Sequence, residues 1–143
     1  MADILTTTAA TSKGGRAGGK VALSPNGNDG GGLYLHMEHA KPLGGSGEGS
    51  NPEQLFAMGW AACFNGAVLF VAAQKKLDAA KAEVRCEVGL GKDATSFALS
   101  AKITLSVPGL DRVEVQELIE AAHQVCPYSK ATRGNVPVEL IVE

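Results

Sequence analysis

The sequence predicts an α+β fold with antiparallel sheets. Two segments in the second half alternate apolar and polar residues with the period of a half-buried strand. One long, nearly uncharged run, Leu55–Ala73, has helical length. The order of elements is strands, helix, strands, helix, strand, so helices do not alternate singly with strands as they would around a parallel sheet.

Along the chain, Ile4–Ala10 and Lys20–Leu23 are candidates for a front hairpin. Glycine clusters at Gly14-Gly15, Gly18-Gly19, Gly30–Gly32 and Gly44–Gly49 mark turns and loops. Leu33–His39 reads as a third strand. Asn51 can cap a helix, with Pro52 suited to its first position and Gln54 three residues past the cap. That helix should end near Lys75-Lys76, whose charges suit a C-terminal dipole. Being apolar all round, it reads as a covered core helix. Its length also fits a membrane span, but its Ala and Gly content, Asn65 at its centre and its isolation in an otherwise alternating chain speak against one.

Val84, Cys86, Val88 and Leu90 form one alternating face; Phe97, Leu99, Ala101, Ile103, Leu105 and Val107 form another. Val88–Ser96 reads as the connection of this hairpin. Asp111 and Glu114 form a capping box for a second helix, with an apolar stripe of Val115, Leu118, Ile119 and Ala122. Pro127 stops it or starts a short new helix. Val136–Val142 is the last strand, placed at an edge or a strand start by Pro137.

At 143 residues the chain fits one domain, 1–143, with room for a hydrophobic core. A net charge of −2 and scattered basic residues exclude a nucleic-acid footprint. Three cysteines without short-range pairing do not make a secreted disulfide framework, and the N-terminus lacks a signal-peptide pattern. A reducing, cytoplasmic location is the expectation.

Two cysteines stand out. Cys63 lies in the apolar helix, beside the small residues Gly59, Gly66 and Ala67. An apolar setting alone raises a thiol pKa, so reactivity there requires a cation. Arg16, in Ser12-Lys-Gly-Gly-Arg-Ala-Gly-Gly19, is the candidate, set against an ordinary exposed loop Arg; a guanidinium keeps its charge when buried. Glu53, in the first helical turn, is either a dipole-friendly acid or the carboxylate that holds Arg16. It stands about 15 Å of helix rise from Cys63, so the two approach only if two such helices pack antiparallel across a dimer. Cys126, followed by Pro127, is either a reactive thiol at a helix start or a core residue. Cys86, on an apolar strand face, reads as structural. No metal is expected: there is no CxxC, and His36, His39 and His123 lack ligand spacing with the cysteines. Nothing in the sequence pairs His123 with a nucleophile as a hydrolase would require, and neither a Walker A motif nor a dinucleotide fingerprint is present.

Asn51-Pro-Glu-Gln-Leu-Phe-Ala-Met-Gly-Trp-Ala-Ala-Cys-Phe64 resembles the helix signature of the organic hydroperoxide resistance (Ohr) proteins of the OsmC superfamily. Cys126-Pro-Tyr-Ser-Lys-Ala-Thr-Arg-Gly-Asn-Val136 resembles their second cysteine motif, and Gly14-Gly-Arg16 and Leu43-Gly-Gly45 fit as well. The resemblance implies an intertwined homodimer, with central helices wrapped by antiparallel sheets. It implies a peroxidatic Cys63, a resolving Cys126, an Arg16 that stabilises the thiolate and orients the peroxide, and a Glu53 that holds Arg16. The substrate would be an organic hydroperoxide, including fatty-acid ones, and the reductant a lipoyl dithiol or lipoylated protein, with no metal, haem or flavin. Phe56, Trp60, Phe64 and Phe70 could line an alkyl pocket. Trp60 stands where Tyr is expected and Met58 where Ala is common. A non-catalytic redox sensor and a small-molecule carrier are the alternatives.

Overall fold

The computed structural model describes residues 3–23 and 33–143. The Gly30–Gly32 cluster and the first two residues, read above as turn and N-terminus, lie outside them. The chain divides into two compact units, Met1–Pro52 and Glu53–Glu143.

The N-terminal unit holds an antiparallel sheet in the order β1 (Ala10–Lys13), β2 (Lys20–Leu23), β3 (Tyr34–His36). The front hairpin is therefore present but displaced: its first strand is Ala10–Lys13, and residues 4–9 lie outside any strand. The register is set by the turn between the strands, where Lys13 pairs with Lys20. There Gly14, Gly15 and Gly18 all take positive φ, and Gly19 comes so close to Gly14 and Gly15 that a Cβ would clash with their backbone. This glycine turn carries Arg16, half-buried. A short 3-10 turn follows at Lys41–Leu43.

The C-terminal unit contains α1 (Pro52–Lys75), β4 (Glu83–Lys92), β5 (Phe97–Ser106), α2 (Arg112–Val125), α3 (Pro127–Thr132) and β6 (Val138–Val142). The second sheet runs β4-β5-β6. The β4–β5 connection is shorter than the sequence pattern suggests. Asp93 Oδ1 accepts from the backbone N–H of Thr95 (2.7 Å) and of Ser96 (2.9 Å) and from the Thr95 hydroxyl (2.8 Å), closing a tight turn. Gly89 and Gly91 then stay in the ladder, Gly89 opposite Ser100. Phe97, expected in the core, lies at the hairpin tip and is exposed, with Lys92 over its ring.

The fold is α+β as expected, but β6 joins β5 in parallel. The physical reason is the connection. Parallel neighbours need a crossover of a dozen or more residues, and α2 and α3 supply it. The capping box forms as read: the Asp111 carboxylate accepts from the Glu114 N–H (2.9 Å) and Glu114 accepts from the Asp111 N–H (3.0 Å). Val115, Leu118, Ile119 and Ala122 are all buried. They join Ile103, Leu105 and Val142 from the sheet and Trp60, Phe64, Val68, Val71 and Ala72 from α1 in one core.

α1 is not covered all round. Met58, Leu69 and Phe70 are exposed on the single chain, opposite the buried set. By length and composition alone α1 could cross a membrane, but its other side is part of the core. The helix ends where the sequence places its end. Lys76 takes φ 57°, the Leu77 N–H donates to the Ala72 carbonyl (2.9 Å), and the Lys76 N–H donates to that of Ala73 (3.2 Å). This is a Schellman cap with lysine in the position glycine usually fills.

Candidate active site

Cys63 and Cys126 meet. The Cys126 Sγ lies 3.4 Å from the Cys63 Sγ, and both are free thiols. Cys63, in mid-α1, is half-buried; Cys126 is fully buried. Cys126 ends α2 and begins α3. Its N–H donates to the Ala122 carbonyl and its own carbonyl accepts from the Lys130 N–H, both at 2.9 Å. Pro127 makes this possible: it needs no hydrogen bond at the first helical position, so the chain turns from one helix into the next at the cysteine.

Three further contacts dock α3 onto the face of α1 that carries Cys63. The Tyr128 N–H donates to the Cys63 sulfur. The Tyr128 ring lies against Gly59, where a Cβ would come within 3.1 Å of it, and stacks on Phe56 with centroids 6.1 Å apart. The Trp60 Nε1–H donates to Ser129 Oγ at 3.3 Å, both residues fully buried. On α1 these contacts fall at positions 56, 59, 60 and 63, one face of a helix.

The surroundings of Cys63 are unfavourable to its thiolate. Burial pushes the Cys63 thiol above its ordinary value, the Tyr128 N–H pulls it down, and the neighbouring Cys126 pushes it up; the net direction is up. The third cysteine, Cys86, half-buried on β4, is pushed up to about 11, by burial first and then by the charges of Cys126 and Glu87.

Among the residues singled out in the sequence, the structure brings together Cys63, Cys126, Phe56 and Trp60. Phe56 is half-buried and packs edge-on against Trp60 (5.3 Å). Trp60 and Phe64 are fully buried core residues, while Phe70 is 55% exposed. Glu53 sits half-buried in the first turn of α1. Arg16 belongs to the glycine turn of the N-terminal unit. Among the described residues no group of three or more His, Cys, Asp or Glu side chains is arranged to hold a metal ion. An open groove of about 600 Å³ on the β4-β5-β6 sheet, lined by Glu87, Gly89, Ser100, Lys102 and Glu139, contains neither cysteine of the pair.

Tyr128 and Ser129 are the residues that sequence reasoning missed. A signal was present. Pro127 at the first position of a helix leaves the next two amides without intrahelical partners, so a neighbouring sulfur could be expected to use one.

Two thiols in contact across a helix junction, within an α+β fold, define a two-cysteine thiol protein. Residues 45–141 match the family of OsmC-like proteins. The chain is 44% identical over 139 residues to the organic hydroperoxide resistance protein of Xanthomonas axonopodis pv. citri, covering 96% of this chain and 94% of that one. Two crystal structures of organic hydroperoxide resistance proteins are similar. That from Elizabethkingia anophelis has a TM-score of 0.88 and 40% identity and covers 99% of both chains. OhrB of Bacillus subtilis has a TM-score of 0.82 and 39% identity, covering 98% of this chain and all of that one. The chain belongs to the OsmC-like family, in its organic hydroperoxide resistance branch.

Proposed function

We propose that the protein is a cysteine-based peroxidase that reduces organic hydroperoxides, fatty-acid ones included, in defence against oxidative stress. The observation that carries this reading is the 3.4 Å contact between the sulfurs of Cys63 and Cys126. The Cys63 thiolate attacks the terminal peroxide oxygen, the O–O bond breaks, the alcohol leaves with a proton, and Cys63 becomes a sulfenic acid. The Cys126 sulfur then attacks the Cys63 sulfur; water leaves and the disulfide forms. A lipoyl dithiol, free or carried on a protein, returns both thiols by exchange. No metal, haem or flavin is needed for these steps.

Burial and the neighbouring thiol hold Cys63 above its ordinary pKa, so the first step needs a cation. By resemblance to the family, Arg16 supplies it and Glu53 holds Arg16. Phe56, half-buried, is assigned with Phe70 to an alkyl-accepting wall completed where a second copy covers α1, with the buried Trp60 and Phe64 beneath it. The open face of α1 is assigned to a second copy of the chain, giving a cytoplasmic homodimer.

The test is consumption of tert-butyl hydroperoxide with dihydrolipoamide, comparing the native protein with Cys63→Ser. Turnover that vanishes in the variant establishes the peroxidase. A fully reduced native protein that oxidises once without turning over is a sensor, and one that binds without consuming peroxide is a carrier; either result removes the reading.

A further inference from the structure

Cys126 sits at the junction of α2 and α3, and two polar contacts tie α3 to α1: the Tyr128 N–H on the Cys63 sulfur and the fully buried Trp60–Ser129 hydrogen bond. A disulfide requires the sulfurs at about 2.05 Å; they now stand at 3.4 Å, in van der Waals contact with nothing between them. Closure therefore needs a shift of little more than 1 Å. Whether the pair spends its time this close depends on how firmly α3, six residues long, is held. Its main-chain bonds to its own neighbours do not fix it against α1. The Tyr128 ring, 39% exposed, is a soft contact. Trp60 and Ser129 are different, since both are fully buried and the indole N–H meets the hydroxyl at 3.3 Å, one turn of α1 before Cys63 and one turn of α3 after Cys126.

We propose that Trp60 and Ser129 are positioning residues for disulfide formation: their buried hydrogen bond latches α3 onto α1 and keeps Cys126 at closing distance from Cys63. The inference deepens the peroxidase reading, since it assigns residues to the resolving step. Its physical basis is effective concentration. A sulfur held in place closes a bond with little loss of freedom, and one on a loosened helix must first be brought back. Trp60 thereby has a role distinct from the pocket suggested by the sequence.

The decisive measurement does not use a peroxide. The purified full chain is equilibrated in glutathione redox buffers, where two protein thiols and oxidised glutathione exchange to a protein disulfide and two reduced glutathiones. The disulfide fraction is read by thiol trapping and intact mass. Trp60→Phe, which keeps a large ring and removes the N–H, and Ser129→Ala, which removes the hydroxyl, are each expected to lower the equilibrium constant for the disulfide about tenfold, or about 30 mV. The double variant should fall no further, because the bond is already lost in either single one. A loss of overall stability common to both redox states would not move this constant. Unchanged constants in both single variants overturn the latch, as does a double variant whose loss is the sum of the two.

A second arm follows one turnover of Ser129→Ala with tert-butyl hydroperoxide. Sulfenic acid formation at Cys63 should keep its native rate, while loss of the Cys126 thiol slows about tenfold and sulfinic acid accumulates in excess peroxide. Equal slowing of both steps counts against positioning. If the native protein does not react with the peroxide at all, the peroxidase reading fails, and the glutathione constants alone decide the latch.

Discussion

Replacing Phe70 by serine should dissociate the protein into single chains. In the single chain Phe70 is 55% exposed on the open side of α1, beside Leu69 at 45%. A fully covered aromatic side chain removes about 200 Å² from water, so Phe70 has roughly 110 Å² left for a partner to cover. At about 25 cal/mol per Å² this amounts to ~2.7 kcal/mol per protomer. A symmetric interface counts it twice, about 5.5 kcal/mol, or close to four powers of ten in dissociation constant. Sedimentation velocity over a dilution series, native protein against Phe70→Ser, reads the change directly. A native dimer dissociating in the nanomolar range would become a variant that is monomeric at micromolar concentration. An unchanged dissociation constant would show that Phe70 is not covered in the assembly, and a native protein monomeric at every concentration would remove the homodimer.

Three other perturbations have defined signs. Lys76→Gly should stabilise the protein by about 1 kcal/mol, because a lysine at φ 57° carries a left-handed strain that glycine lacks. A thermal midpoint raised by about 2–4 °C is the expected readout, and a lowered midpoint would refute the cap. Cys86, with a pKa of about 11, has roughly one thiolate in a thousand at pH 8. Its alkylation by iodoacetamide should therefore accelerate about tenfold per pH unit from neutrality upward, and rapid, pH-independent labelling would contradict this. His123 lies below its ordinary pKa because it is partly buried and faces the charge of Arg133. The unfolded chain thus takes up that proton first. The contribution of His123 to stability is complete above the unfolded value of about 6.5 and is lost as pH falls through it toward the folded value. Urea unfolding from pH 7.5 to 5 should show the decline, and His123→Gln should flatten it.

The elements most legible in the sequence were those specified locally. The Asp111–Glu114 box and the stripe from Val115 to Ala122 are written within two turns of one helix, and both formed as read. The features that escaped notice depend on distant partners. Nothing around Val138–Val142 says that it runs parallel to β5, since direction is set by the path of the chain between them. Gly89 and Gly91 resemble a loop until Ser100 and Ala98 are seen opposite them. Lys76 gives no sign of a left-handed cap, because the usual mark is glycine. At the site, each cysteine was visible alone, and their meeting was implied by family resemblance. The contact spans 63 positions and rests on Trp60, Tyr128 and Ser129, whose partners lie on another helix.

Arg16 carries the remaining chemical question. At Cys63 the Tyr128 backbone N–H favours the thiolate, and burial with a neighbouring thiol outweighs it. A peroxidase working at neutral pH needs the opposite balance, and a buried guanidinium provides a charge that does not titrate away. If Arg16 is that charge, Arg16→Ala raises the Cys63 pKa further. Each unit of rise removes about nine-tenths of the thiolate at neutral pH. The variant should be about 10- to 100-fold slower at pH 7 in forming the Cys63 sulfenic acid, and it should recover about tenfold per pH unit as the medium becomes alkaline. The native rate, with Arg16 in place, should rise less steeply over the same range. Arg16→Lys should keep part of the rate, since the charge remains while the planar fork is lost. A variant that is slow at every pH, with the native profile, would assign Arg16 to holding the peroxide alone. A variant as fast as the native protein would remove Arg16 from the reaction.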